Sequence, residues 1–181
     1  MSLSSSLSSL SSSLQSLTNL PLATLFWIIS SLFNVSLGLP CVLSARYYRW
    51  QFNLIYGRPP TAKECASTSK EIIYNRRFMR NVALFGGFYL LPLLEKDPVT
   101  LCVCAIGAVL KAATAYKLLS LRLANKATTV AALAAVSDCG FVVAFVHLGK
   151  EAAERTGAEM AAGCLGMSAT TMSVVVFAMS V

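Results

Sequence analysis

The stretch DPVTLCVCAIGAVLKAATAYKLLSLRLANKATTVAALAAVSDCGFVVAFVHL, residues 97–148, decides the fold of this chain. It contains two apolar segments, about 98–124 and 127–148, which are separated by Asn125 and Lys126. Each segment is long enough to cross a bilayer, which takes about 20 mostly apolar residues. The opening Asp-Pro dipeptide is typical of a helix start. The short polar link therefore predicts a hairpin of two membrane-spanning helices.

Each half of this hairpin is interrupted by one charged residue, Lys111 in the first and Asp138 in the second. Both lie at nearly the same distance from Asn125, about 20 Å along a helix, which is close to the middle of a bilayer. An unpaired charge at that depth costs roughly 2.5–3.5 kcal/mol. Small residues such as Gly107 and Ala134 share the helical faces of the two charges and allow close helix contact. The sequence thus predicts an intramembrane ion pair.

Three further segments, about 20–45, 74–94 and 160–181, are also apolar, although 74–94 needs its flanking arginines to reach the headgroups. The chain is 56% hydrophobic and only 13% charged, with a mean hydropathy of +0.65, which excludes an ordinary soluble domain. We predict an all-α, polytopic membrane helix bundle that occupies residues 20–181 as one domain. It has five transmembrane helices, or four if 74–94 enters the membrane only part-way.

The charges outside these segments are distributed asymmetrically. In a five-span arrangement, the connections 45–80 and 117–126 share one side of the membrane and are rich in Arg and Lys, whereas 95–97 and 150–159 share the other and are slightly acidic. Positive residues stay on the cytoplasmic or matrix side during insertion. This places the C-terminus on the positive side and the N-terminus on the opposite side. The net charge of +7 then reflects orientation, and no nucleic-acid partner is expected.

Arginines interleaved with aromatic residues follow the first span, and more arginines precede the second. Directly beside a membrane span, this pattern is typical of an interfacial belt that contacts lipid headgroups. We refer to the predicted headgroup-binding set as the basic collar: Arg46, Arg49, Arg76, Arg77 and Arg80.

Small or polar residues recur at every fourth position on two of the predicted spans. Ser30, Asn34 and Gly38 form such a face on the first span, and Ala162, Gly166 and Thr170 form one on the fifth. Small faces allow membrane helices to approach closely. They predict helix–helix packing, in excess of what one small bundle requires.

The first 19 residues are almost entirely serine and leucine, with leucines at spacings of four and three: Leu3, Leu7, Leu10, Leu14 and Leu17. This spacing predicts an amphipathic helix over residues 1–19. Because its polar face has no cations, a neutral bilayer surface or a partner's groove is the expected cover. A plastid-type targeting segment is the alternative, since the stretch is rich in serine and free of acidic residues.

No catalytic motif or metal-ligand cluster is recognisable, and the cysteines mostly lie in apolar segments where they pack as small hydrophobic residues. We therefore predict a non-catalytic accessory subunit of a larger membrane complex, in an organellar energy-transducing assembly. Its expected partners are other integral membrane subunits and membrane lipids, with structural phospholipids and no other cofactor. The mitochondrial inner membrane is the favoured location, and the endoplasmic reticulum and a plastid membrane are the alternatives.

Two alternative functions depend on particular residues. Lys111 and Asp138 could serve a small proton- or ion-coupled transporter, because ionisable residues inside a membrane often mark such pathways. Arg76, Arg77 and Arg80 could instead hold a headgroup in a membrane-embedded lipid-modifying enzyme. That second alternative has no evident nucleophile or acid–base pair in the sequence.

Overall fold

The computed structural model describes residues 20–65, 76–94 and 97–157, together with the isolated positions 163 and 166. All regular structure in these residues is helical. The helices are α1 (Leu22–Leu43), α2 (Ala45–Tyr56), α3 (Ala62–Cys65), α4 (Arg76–Phe88), α5 (Leu91–Leu94), α6 (Asp97–Leu123) and α7 (Thr129–Thr156).

Three helices, α1, α6 and α7, are long and apolar enough to cross a membrane. The prediction of an all-helical fold is confirmed for the described residues, and these three candidate spans are compatible with a membrane location. Helices α1 and α6 begin and end within two residues of the predicted spans 20–45 and 98–124. Helix α7 continues to Thr156, well beyond the predicted end at residue 148. Pairs of opposite charge four residues apart, such as Lys150 with Glu154, stabilise this extension.

The second predicted span, 74–94, does not form one continuous helix. It is divided into α4 and the single turn α5 by a turn at residues 89 and 90. Pro92 has no amide hydrogen to donate to the carbonyl of Phe88, so the helical hydrogen-bond ladder cannot continue there. Helix α4 is about 20 Å long, shorter than the ~30 Å hydrocarbon core of a bilayer. The predicted count of five transmembrane helices is therefore not confirmed.

Two other predicted elements, the amphipathic helix over 1–19 and the span over 160–181, lie outside the described residues apart from positions 163 and 166. The connection after the first span, by contrast, is described and contains the helix α2. Ser44 caps the start of α2, because its hydroxyl accepts a hydrogen bond from the Tyr47 amide. Gly57, with a φ of 69°, ends it in the left-handed conformation that glycine adopts without strain.

The long helices are arranged as two pairs, α1 with α4 and α6 with α7, within which most tertiary contacts lie. At one end, α2 joins the pairs: the Thr128 amide donates to the Ile55 carbonyl at 2.8 Å, and the Thr128 hydroxyl donates to the Leu54 carbonyl. Towards the other end the pairs meet through aromatic rings, with Trp27 and Tyr89 packed against Phe145. Between these two connections lies the polar cluster described next.

Candidate functional site

The turn between α6 and α7 fixes which residues of the two helices face each other. Asn125 adopts a positive φ of 56°, a conformation that asparagine tolerates better than most residues. The Lys126 amide donates to the Leu121 carbonyl at 2.8 Å and closes the end of α6. The helices then run antiparallel, packed through buried alanines that include Ala115, Ala131 and Ala135.

This arrangement brings Lys111 and Asp138 into direct contact. The Lys111 Nζ lies 2.7 Å from the Asp138 Oδ1, and the side chains are 12% and 9% exposed. A charge-assisted hydrogen bond of this length offsets part of the cost of removing both groups from water. The pair therefore links the two halves of the hairpin near their middle.

Asn34 of α1 is the third polar member of this site. Its Oδ1 lies 3.4 Å from the Lys111 Nζ, and its Nδ2 donates to the Ser30 carbonyl at 3.0 Å. The amide is thus oriented by its own helix with the oxygen towards the ammonium. Sequence analysis placed Asn34 on a packing face and did not connect it to Lys111; an amide side chain at the middle of an apolar span was the available signal. We call Asn34, Lys111 and Asp138 the polar cluster.

Two phenylalanine rings cover the ammonium of Lys111. Its Nζ lies 4.8 Å from the ring centroid of Phe141 and 5.5 Å from that of Phe33. The two rings are 5.5 Å apart, centroid to centroid. The negative faces of aromatic rings attract a cation, and more strongly where water is absent. Sequence analysis missed both rings, because phenylalanine in an apolar span carries no signal of its contacts.

The Lys111 ammonium thus has four contacts within the described residues. Lys111 has a carboxylate, an amide oxygen and two ring faces as partners. Such an arrangement lowers the energy of a buried ion pair and fixes the positions of α1, α6 and α7. Within the described ranges, no group of three or more His, Cys, Asp or Glu residues is placed to hold a metal ion.

The five arginines of the basic collar differ in their contacts within the chain. Arg76 donates from Nη2 to the Val42 carbonyl at 2.6 Å, so it caps the C-terminal end of α1. The other four arginines, on α2 and α4, are exposed: Arg46, Arg49, Arg77 and Arg80. The predicted headgroup contacts of these arginines stay a prediction.

Beyond the collar, the loop after α2 holds a second ionic contact. Arg58 donates to both carboxylate oxygens of Glu64 at 2.6 and 2.8 Å, and the Thr61 amide donates to Glu64 at 2.7 Å. The hydrogen bonds from Arg58, followed by that from Thr61, lower the pKa of Glu64 to about 2. This contact stabilises the turn that follows Pro59 and Pro60.

The face of Ser30, Asn34 and Gly38 on α1 is buried within the chain. Gly38 lies directly against the backbone of α4: a Cβ atom there would be 2.5 Å from both the Met79 oxygen and the Ala83 nitrogen. Gly38 thus serves contact within the chain and is not available to a partner. Of the corresponding face on the fifth predicted span, Gly166 is described only as an isolated helical position, and Ala162 and Thr170 lie outside the described residues.

Comparison of the chain with family models, with curated proteins and with solved structures yields no significant match.

Proposed function

We propose that this chain is a non-catalytic subunit of a larger membrane protein complex, and that the polar cluster holds its fold together. The observation that carries this proposal is that the cluster is satisfied by residues of the chain itself. The Lys111 ammonium is paired with Asp138 and covered by two rings. A substrate or an ion would have to displace these contacts. This would leave a buried charge without its partner, and the described residues offer no replacement partner.

The outward faces of the helices support a partner in the membrane. Helix α1 exposes branched side chains such as Ile29 and Leu32, which suit lipid chains. Helix α7 also exposes branched side chains, Val136 and Val143, but between them it exposes Ser137 and Gly140, and no other group lies within 4 Å of where a Cβ of Gly140 would be. Small residues allow the backbones of membrane helices to approach closely. The proposed occupant of this face is a transmembrane helix of another subunit.

We further propose that the collar end faces the cytoplasm or the mitochondrial matrix. Arg46, Arg49, Arg77 and Arg80 are exposed at this end of the bundle, where they can contact anionic headgroups. In this orientation residues 1–19 lie on the opposite side, on lipid or on a partner, and residues 160–181 add a further span that returns to the collar side. Helices α4 and α5 then traverse the membrane together as a broken segment. The inner mitochondrial membrane, rich in multi-subunit complexes, is the proposed location.

The test is the mass of the chain extracted from its native membrane in a mild detergent. We expect a complex several times heavier than the 19.4 kDa chain, and migration as a free monomer would overturn the proposal. Gly140→Leu should release the chain from the complex, because the added side chain blocks close helix approach. Gly87→Leu is the matched control: Gly87 has equally open surroundings but lies on α4, outside the proposed contact face of α7.

A transporter is the second candidate, and one observation favours it: an ion pair lies near the middle of two candidate spans. Titratable groups at such depth often belong to proton or ion pathways. In proteoliposomes, a transporter should lose flux when Lys111 and Asp138 are both replaced by leucine. The subunit proposal instead expects no protein-dependent flux from the unmodified chain, so flux by that chain would favour the transporter.

A further inference from the structure

A cleft of about 470 Å³ opens at the end of the bundle opposite the collar. Its volume is within the range of ordinary ligand sites, about 300–1,000 Å³. Four helices contribute to it: α1 near its start, α5, the first turn of α6, and the last turns of α7. None of its residues belongs to the polar cluster or to the collar, and the proposed subunit role makes no use of it.

The floor and the mouth of this end cleft differ in polarity. Trp27 and Leu148, which lie further from the helix ends, form the apolar floor, whereas Asp97, Glu151 and Arg155 form a charged mouth. Asp97 is the first residue of α6, and Arg155 lies in the last turn of α7, so the mouth is at the level of the helix ends. In a membrane, this is the level of lipid headgroups, with the floor deeper in the hydrocarbon.

The charged mouth can bind a positive and a negative group at once. Arg155 donates from Nε to Asp97 at 2.9 Å, and its Nη1 lies 3.9 Å from the nearest Glu151 oxygen. A guanidinium has five N–H donors, so most of those of Arg155 are available to a phosphate. Glu151 also contacts the exposed imidazole of His147, whose Nε2 lies 3.3 Å from the Glu151 Oε1. With His147 neutral, the two carboxylates exceed the single guanidinium by one negative charge, which an ammonium group can balance.

Two hydroxyl groups in the cleft add uncharged donors. Thr24 and Thr100 line it, each in the first turn of its helix. Neither hydroxyl makes a hydrogen bond to another residue in the described part of the chain, whereas Ser30, Thr114 and Thr156 each donate to the carbonyl four residues before. Helix α1 has no side-chain cap hydrogen bond at Pro21, and Ala23 and Thr24 of its first turn line the cleft.

We propose that the end cleft binds the headgroup of one zwitterionic phospholipid. The phosphate lies at Arg155 and the start of α1, the ammonium lies against the carboxylates on the side away from the Arg155 guanidinium, and the acyl chains leave along Trp27 and Leu148 into the bilayer. A phosphoethanolamine or phosphocholine headgroup has this chemistry, and an anionic glycerol headgroup lacks the ammonium.

Native mass spectrometry of the delipidated full chain tests this site with three lipids of equal chain length: phosphatidylethanolamine, phosphatidylcholine and phosphatidylglycerol. We expect the two zwitterionic lipids to bind at least tenfold more tightly than phosphatidylglycerol. Equal binding of all three would overturn the proposal. Soluble phosphoethanolamine is the fourth probe, and binding as tight as that of the lipids would assign the cleft to a soluble ligand instead.

Two charge-neutralising variants on α7 locate the binding. Glu151→Gln with Arg155→Gln should weaken zwitterionic lipid binding at least tenfold. Lys150→Gln with Glu154→Gln is the matched control, since this exposed pair lies on the same turns but does not line the cleft. Equal effects of the two variants would contradict the proposal. Because the isolated chain is used, the result is independent of whether the chain is a subunit of a complex.

Discussion

In the α1–α4 pair glycines lie against the backbone of the partner helix, whereas in the α6–α7 pair Gly107 and Gly149 lie against side chains and the interface also contains alanines and one ion pair. Gly38 and Gly86 leave no room for a Cβ atom between α1 and α4. Helices α6 and α7 instead carry methyl groups at their interface and place Lys111 against Asp138. For helices that pack in lipid, burial of apolar surface provides no driving force, so such specific contacts decide which helices associate.

The difference shows two ways to specify a helix pair in a membrane. Glycine contacts specify shape, because any added atom meets backbone that cannot move away. An ion pair specifies register, because sliding one helix by a turn, about 5.4 Å, would separate the charges in hydrocarbon. The first pair should therefore be sensitive to added volume, and the second to the loss of a single charge.

The largest effect is expected from removing one charge of the pair. Lys111→Leu leaves the Asp138 carboxylate buried without its partner, which should lower the free energy of unfolding by about 3–5 kcal/mol. The double variant with Asp138→Leu should recover most of this loss, since no unpaired charge is left. Unfolding in mixed micelles measures both. Equal losses in the single and double variants would show that the pair does not specify the hairpin.

The α1–α4 pair should respond to one added methyl group. Gly38→Ala places a Cβ 2.5 Å from two backbone atoms of α4 and should cost about 2–3 kcal/mol by forcing the helices apart. Gly87→Ala is the control, because no atom lies within 4 Å of its added Cβ and alanine favours helix by up to about 1 kcal/mol. The same unfolding measurement applies, and similar losses at the two positions would refute the steric account.

A smaller effect is expected where α2 joins the two pairs. Thr128→Val keeps the shape of the side chain but removes the hydroxyl that donates to the Leu54 carbonyl, at a cost of about 1 kcal/mol. Amide hydrogen exchange should become faster at the C-terminal end of α2. Thr129→Val alters an exposed neighbour and should leave exchange unchanged. Unaltered exchange in Thr128→Val would mean that the backbone contact to Ile55 is sufficient.

The smallest effect concerns pH and the Arg58–Glu64 contact. The pKa of Glu64 is lowered from about 4.5 to about 2, so the stability that this contact adds is fully present above pH 4.5 and is lost as the pH falls towards 2. At an exposed site the contribution is below about 1 kcal/mol. Carboxyl NMR titration should give a midpoint near 2, and Arg58→Gln should return it towards 4.5. A midpoint unaffected by Arg58→Gln, with Lys63→Gln as control, would disprove the assigned cause.

Sequence alone could predict the hairpin and the contact between Lys111 and Asp138. Their positions follow from counting residues to one turn, and the cost of isolated charges at equal depth leaves pairing as the economical outcome. The bounds of α1 and α6 likewise follow from long, mostly apolar runs with clear ends.

The rest depends on contacts between helices that are distant in sequence. Asn34 reaches Lys111 across 77 residues, and no local pattern sets the rotation of α1 about its axis. The sequence predicts residues 74–94 as one span only by adding the arginine-containing residues before the apolar stretch, and with a bend at Pro92. The turn at residues 89 and 90 divides the segment fully, which depends on its packing against other helices. The contact of Phe33 with Lys111 likewise depends on the rotation of α1 about its axis, and that of Phe141 depends on the packing of α6 against α7.

The separation of the two charges along the chain has a consequence for biosynthesis. Lys111 is synthesised 27 residues before Asp138. At a translation rate of about 5–20 residues per second, Asp138 is added to the chain roughly 1–5 s after Lys111. We expect α6 to stay inside the insertion machinery during this interval and to enter the lipid together with α7. Formation of the ion pair would then allow both helices to leave the insertion machinery together, so the hairpin is the unit of membrane insertion.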